Sequence, residues 1–169
     1  KPFPKFSTRF RIVMKEKTDY VYNPQKTYQI PYQKSSYKIL FENKFVPFTN
    51  LTTSFKVDFV YLNHKNFLSN ESGFHFSLHC EYNNPKVLEI GSGINYFSTV
   101  SYSSAIYFFE IVAPEYMYSV PFYGTGLRFS LWIGKRLWDS IELFFRYNYE
   151  PKSGNKNFVL GQLNLTYSL

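Results

Sequence analysis

The chain is short of cysteine, of charge and of long apolar runs, and each shortage closes off a class of protein. The single cysteine among 169 residues, Cys80, excludes an intrachain disulfide and any multi-cysteine metal centre. It reads as a small apolar residue. No run of 18 apolar residues occurs, so no membrane-crossing helix is expected, and no charged-then-apolar opening reads as a signal peptide. Lys1 then reads as the start of a mature or engineered chain. Only 18% of the residues are charged, and the net charge of +7 is scattered. Lys15, Lys17, Lys34, Lys65, Lys135, Arg136, Lys152 and Lys156 are expected in loops and turns. With no basic tract and no basic-and-aromatic platform, nucleic acid is not an expected partner.

Aromatics are what the chain has instead: sixteen Tyr and nineteen Phe in a one-domain length. They recur with a period of two. In "GFHFSLHCEY", Phe74, Phe76, Leu78, Cys80 and Tyr82 share one face, and His75, Ser77, His79 and Glu81 the other. "SFKVDFVY", "GLRFSLWIG", "SIELFFRYNYE", "FSTRFRIVMK" and "SSYKILFENKF" repeat the pattern. The last nine residues, "GQLNLTYSL", alternate strictly as well. Nothing reads as a long helix.

Such alternation also suits a soluble sandwich or a lipocalin-like barrel, with the apolar side inward. Two features favour the reverse. Full charges of both signs lie mid-strand on the polar face, opposite a bulky aromatic face. The connections also differ in length. Strands are expected at 6–15, 35–46, 53–63, 72–83, 86–100, 124–135, 138–149 and 157–169. The links 16–34, 64–71, 101–123 and 150–156 are then long, and those between are short. An all-β fold follows: one domain over residues 1–169, a closed antiparallel up-and-down transmembrane β-barrel of eight strands. Ten is the alternative, if "AIYFFEIVA" at 105–113 and the weaker "TYQIPY" at 27–32 are counted.

The closing "LNLTYSL" resembles the signal by which outer-membrane barrels are recognised for insertion, with Leu169 where Phe is usual. The whole chain resembles the small barrels of the OmpA transmembrane-domain, OmpX and OmpW kind. Its richness in Lys, Asn, Phe, Tyr and Ile is similar to that of an AT-rich bacterium such as a spirochaete, whose small barrels include surface adhesins and binders of host complement regulators. The resemblance implies a bacterial outer-membrane location, contact with outer-membrane lipid, and loops at the cell surface.

An eight-stranded barrel has room inside for side chains and little else. The expected interior network is Arg9, Arg11, Lys38, Glu42, Lys44, Lys56, Asp58, Glu81, Glu89, Arg128, Glu142 and Arg146, which must pair to be tolerated. Tyrosines in the long links, Tyr20, Tyr22, Tyr28, Tyr32, Tyr116 and Tyr118, are the candidates for binding a host or environmental macromolecule, because tyrosine offers large contact area with a polar tip. A non-enzymatic binder is the first expectation, and a narrow channel for small or apolar solutes the second.

An acyl hydrolase is the third. His75, Ser77 and Glu89 resemble the His-x-Ser and later Glu of outer-membrane lipid A deacylases. Leu78 stands where that family has Asn, the motif lies mid-chain, and both side chains point inward, so no catalytic role is expected. His64 falls in a link with no visible partner. His75 and His79 alone are too few for a metal site, and no cofactor is expected.

Overall fold

The computed structural model describes residues 4–23, 28–64, 70–84, 88–113, 116–138, 141–151 and 157–167. They form ten strands: β1 (Lys5–Asn23), β2 (Tyr28–Phe48), β3 (Leu51–His64), β4 (Glu71–Asn84), β5 (Leu88–Thr99), β6 (Ile106–Ala113), β7 (Tyr116–Phe122), β8 (Thr125–Trp138), β9 (Ile141–Pro151) and β10 (Asn157–Tyr167). Eight of them make one up-and-down antiparallel sheet in the order β1-β2-β3-β4-β5-β8-β9-β10. Among the described residues no ladder joins β10 to β1.

The remaining two strands, β6 and β7, pair only with each other. The segment 105–113 is therefore a strand but not a member of the sheet, and the sheet count is eight. A single 3₁₀ turn at Tyr102–Ser104, closed by reciprocal Ser101 and Ser104 hydrogen bonds, leads into this hairpin.

Of residues 16–34, those at 16–23 and 28–34 are strand and not loop. β1 and β2 pair continuously from Lys5↔Val46 to Asn23↔Tyr28, and the weakly strand-like 27–32 stretch lies largely at the start of β2. Pairing of β2 with β3 stops at Lys34↔His64, so from Thr18↔Gln33 outward the two strands project as a bare ribbon. Six residue pairs at the usual rise make it about 20 Å long. Pro31 is tolerated there because β2 has lost its second neighbour and needs no N–H on that side. Lys15, Lys17, Lys34, Lys135 and Arg136 accordingly lie in strands and not in loops, whereas Lys65, Lys152 and Lys156 fall outside the described residues. His64 closes β3, and Glu150 belongs to β9. Charge and proline read as loop signals because a ribbon without a third strand is less bound to alternate than the sheet is.

Within the sheet the two faces have opposite character. The outer face carries Phe10, Ile12, Ile39, Phe45, Phe59, Phe74, Leu78, Ile94, Phe129, Leu131, Phe145 and Tyr147, all exposed, from 63% at Phe10 to 37% at Phe129 and Tyr147. The inner face buries Asp58, His75, Ser77, Asn95, Arg146 and Asn148. The usual arrangement of a water-soluble sheet is inverted. The sheet curls about this inner face, since Arg9 and Arg11 of β1 line the same cavity as Trp132 of β8 and Arg146 of β9.

Glycine makes the curl fillable. A Cβ at Gly91 would collide with the Trp132 indole, and one at Gly93 would stand 2.6 Å from the His79 ring. Both rings lie flat across β5 because those positions have no side chain. Gly91→Val is expected to destabilise the protein by about 1–3 kcal/mol through overpacking, read by tryptophan fluorescence during urea unfolding in detergent.

Candidate functional site

Two layers fill the inner face. The first is aromatic and comes from the β6–β7 hairpin, which folds in against the sheet. Ile106 packs with Val60 and Leu62. Phe122 stacks on Phe97 at 4.7 Å between ring centroids and lies 5.2 Å from the His75 ring. Phe108 stacks on His79 at 5.3 Å and stands 5.4 Å from His75. Two cations rest on these rings: Lys56 Nζ is 5.3 Å from the Phe108 centroid, and the Arg128 guanidinium 4.9 Å from that of Phe122.

The second layer is ionic. Register places Asp58 opposite His75, and Lys56 opposite Ser77, which itself faces Asn95. Lys56 Nζ lies 3.0 Å from Asp58 Oδ2, and that same oxygen is 2.9 Å from His75 Nδ1. His75 Nε2 and His79 Nε2 both reach Asn95 Oδ1, at 3.3 and 3.2 Å. Arg128 donates from two nitrogens to Glu150 Oε2, at 2.9 and 2.6 Å. His75 is wholly buried. In such an interior a cation needs an opposing group, and for Lys56 and Arg128 the acid comes from the same strand or from the neighbouring one.

Toward the short-turn end lies a cavity of about 460 Å³, lined among others by Arg9, Arg11, Glu42, Glu81, Trp132 and Arg146. Arg9 pairs with Glu42 at 3.3 Å, and Arg146 Nε donates to Asn148 at 3.1 Å. Phe144, buried, stacks on Trp132 at 5.8 Å.

Of the twelve side chains expected inside, Arg9, Arg11, Glu42, Lys56, Asp58, Glu81 and Arg146 line this one cavity. Arg128 sits above it under the hairpin, and Glu89 abuts Gly134. Lys38 and Lys44 share the inner face of β2 with Glu42 by alternation and remain exposed. The side chain of Glu142 lies outside the described residues. Among the tyrosines, Tyr20 is exposed and Tyr32 half-buried, 5.8 Å from the His64 ring. The side chains of Tyr22, Tyr28, Tyr116 and Tyr118 lie outside the described residues.

The serine, histidine and carboxylate constellation is not assembled as the motif suggests. The carboxylate that His75 meets is Asp58, and its other nitrogen faces Asn95, so neither ring nitrogen is directed to Ser77. Asp58 is 17 residues from His75 in the chain, and the two meet only because β3 and β4 are antiparallel. Asn95, Phe108 and Phe122 carried no signal of their own. Trp132 and Phe144 did: both fall on the polar side of alternating strands, where a large aromatic is out of place unless something small faces it. Among the described residues no group of three or more His, Cys, Asp or Glu is placed to hold a metal ion.

No family model, curated protein or solved structure matches this chain.

Asp58→Asn is expected to cost about 3–5 kcal/mol in urea unfolding, because it leaves the Lys56 charge buried without its acid. The double change Lys56→Met with Asp58→Leu is expected to cost less, since it removes both charges together, but not to be neutral, because the buried His75 Nδ1 loses its partner.

Proposed function

We propose that the chain is a closed eight-stranded outer-membrane β-barrel that presents its long-link end for recognition of a macromolecule and performs no catalysis. The observation that carries this reading is the inversion of the two sheet faces. An exposed band of Phe, Ile, Leu and Tyr around a buried set of charges is costly in water and favourable in hydrocarbon. β10 and β1 would close the seam, which would also remove the two sheet edges that otherwise invite aggregation.

The recognition element in this reading is the β1–β2 ribbon. It is stiffened by pairing, and at its base, still within the sheet, the Ser35 hydroxyl donates to Glu16 Oε1 at 3.2 Å. It carries the exposed Tyr20 at its flank. The Lys17 ammonium, 3.0 Å from Asp19, donates a hydrogen bond that holds the Asp19 carboxyl below the usual carboxylate range. A preformed ribbon loses little entropy on binding, which suits a contact surface. A narrow solute path is the second reading, favoured by the cavity with walls of both charge signs. The hairpin packed across the inner face weighs against steady conduction.

Leu131→Arg separates membrane from water. It is expected to destabilise the protein by about 2–4 kcal/mol in lipid vesicles. A near-neutral effect, with the native protein released by buffer alone, would refute the membrane setting. Grafting residues 15–36 onto another small barrel is expected to transfer binding to host cells or matrix, and a silent graft would count against the ribbon.

A further inference from the structure

We infer that the interior cavity is a pocket for a short zwitterionic peptide, with Arg11 taking the C-terminal carboxylate and Glu81 the N-terminal ammonium. The inference goes beyond the recognition role of the ribbon and needs only the curl of the sheet, which puts β1 and β4 in one cavity with β8 and β9.

The charges in the cavity wall divide into those already answered and those not. Arg9 pairs with Glu42 at 3.3 Å and Lys56 with Asp58 at 3.0 Å, and Asp58 is engaged by His75 as well. Arg146 is engaged too, by Asn148 among others. Arg11 and Glu81 differ. Among the described residues neither has an ion pair or a side-chain hydrogen bond. Arg11 is exposed and Glu81 half-buried, so solvent reaches both. Lys38 and Lys44, exposed on the same face of β2, do not line the cavity.

Strand pairing keeps these two charges apart. Arg11 stands opposite Leu40, and the acid on the far side of Leu40 is Asp58, which is already held. The one acid of β2, Glu42, is held by Arg9. Glu81 stands opposite Gly91, Gly91 opposite Trp132, and Trp132 opposite Arg146. The Trp132 ring lies flat over Gly91, so in that row an indole stands between Glu81 and Arg146. The cavity therefore has a positive and a negative pole, each available to a ligand.

Size and spacing choose the ligand. A volume of about 460 Å³ falls within the range of small-molecule sites. β1 and β4 are three strand spacings apart, about 14 Å along the sheet, a distance that the curl and the two side chains shorten. A single amino acid carries both charges on one carbon and is too short to bridge the poles, whereas two or three residues span about 7–10 Å. The planar Arg11 guanidinium matches a carboxylate with two parallel hydrogen bonds, and the Glu81 carboxylate accepts from an ammonium. Between the poles Leu40 and Trp132 offer apolar wall, and Ser54 a hydroxyl for a peptide group.

Calorimetric titration of the whole protein in detergent at neutral pH tests this, with alanyl-leucyl-alanine, its N-acetylated form and its C-terminal amide as probes. The zwitterion is expected to bind at least about tenfold more tightly than either blocked form, since each block removes one charged hydrogen-bonded contact. Arg11→Gln and Glu81→Gln are each expected to weaken the zwitterion by a similar factor, and Lys38→Gln, outside the cavity, to leave it unchanged. Arg11→Gln is further expected to equalise the zwitterion and the amide, and Glu81→Gln the zwitterion and the N-acetylated form. No binding at millimolar tripeptide would overturn the pocket, as would blocked forms that bind as tightly as the zwitterion. Equal weakening by Lys38→Gln would reduce the effect to general charge attraction and overturn it as well. The blocked probes act on the wild type, so the outcome stands even if a variant fails to fold. Detergent supports the sheet in either setting, so the result decides the pocket separately from the membrane reading, which Leu131→Arg decides.

Discussion

The Asp58 carboxylate stands between the Lys56 ammonium and the His75 ring, and the requirement it meets runs through the whole inner face. Charges placed on the covered side of a curled sheet survive only when each is answered by an opposite charge or a hydrogen bond. Arg128 with Glu150 and Arg146 with Asn148 are further instances of that rule, while Arg9 meets Glu42 with its own side chain largely exposed. None of them involves residues that are adjacent in the chain. Arg128 with Glu150 and Arg9 with Glu42 depend on strand register, whereas Arg146 meets Asn148, and Lys56 meets Asp58, two places along its own strand.

The aromatic hairpin solves a different problem. A curled sheet whose inner side is ionic has few apolar contacts to hold it together, and β6 and β7 supply them from within one link. Phe97, Phe108 and Phe122 form a small apolar cluster whose outer surface is covered by Lys56, Arg128 and the two histidines. The contact between ring faces and cations lets the ionic and apolar layers meet without stranding either. On β5, Gly91 and Gly93 let the Trp132 and His79 rings lie flat, so the filling is shared between bulky residues on some strands and their absence on another.

Much of the sheet was legible from the period of two. The outward set, from Phe10 on β1 to Phe145 on β9, and most of the inward charges follow from alternation alone, because alternation is imposed wherever two faces have different surroundings. The ribbon reads as a loop in the sequence since no third strand pairs with it beyond Lys34↔His64, and Pro31 and the charges are tolerated there. Only the first strand of the hairpin reads as extended in the sequence, and neither reads as filling, because their partners, Val60, Phe97 and His75, are distant in the chain. The histidine site was half visible: the motif drew attention to His75 and Ser77, whereas the carboxylate and the amide that engage His75 were fixed by pairing that no local spacing encodes.

The two ends of the sheet are very unequal in bulk. The connections after β2, β4 and β8 are two or three residues long, whereas the opposite end carries the ribbon, the inserted hairpin and the lysines at 15, 17 and 34. In the proposed setting this makes assembly directional. The slim end passes few polar groups through hydrocarbon, while the bulky end would have to drag paired backbone and several ammonium groups across it. A chain threading in from the wrong side would stall, so the orientation of the finished molecule is already written in where its links are thick and where they are thin.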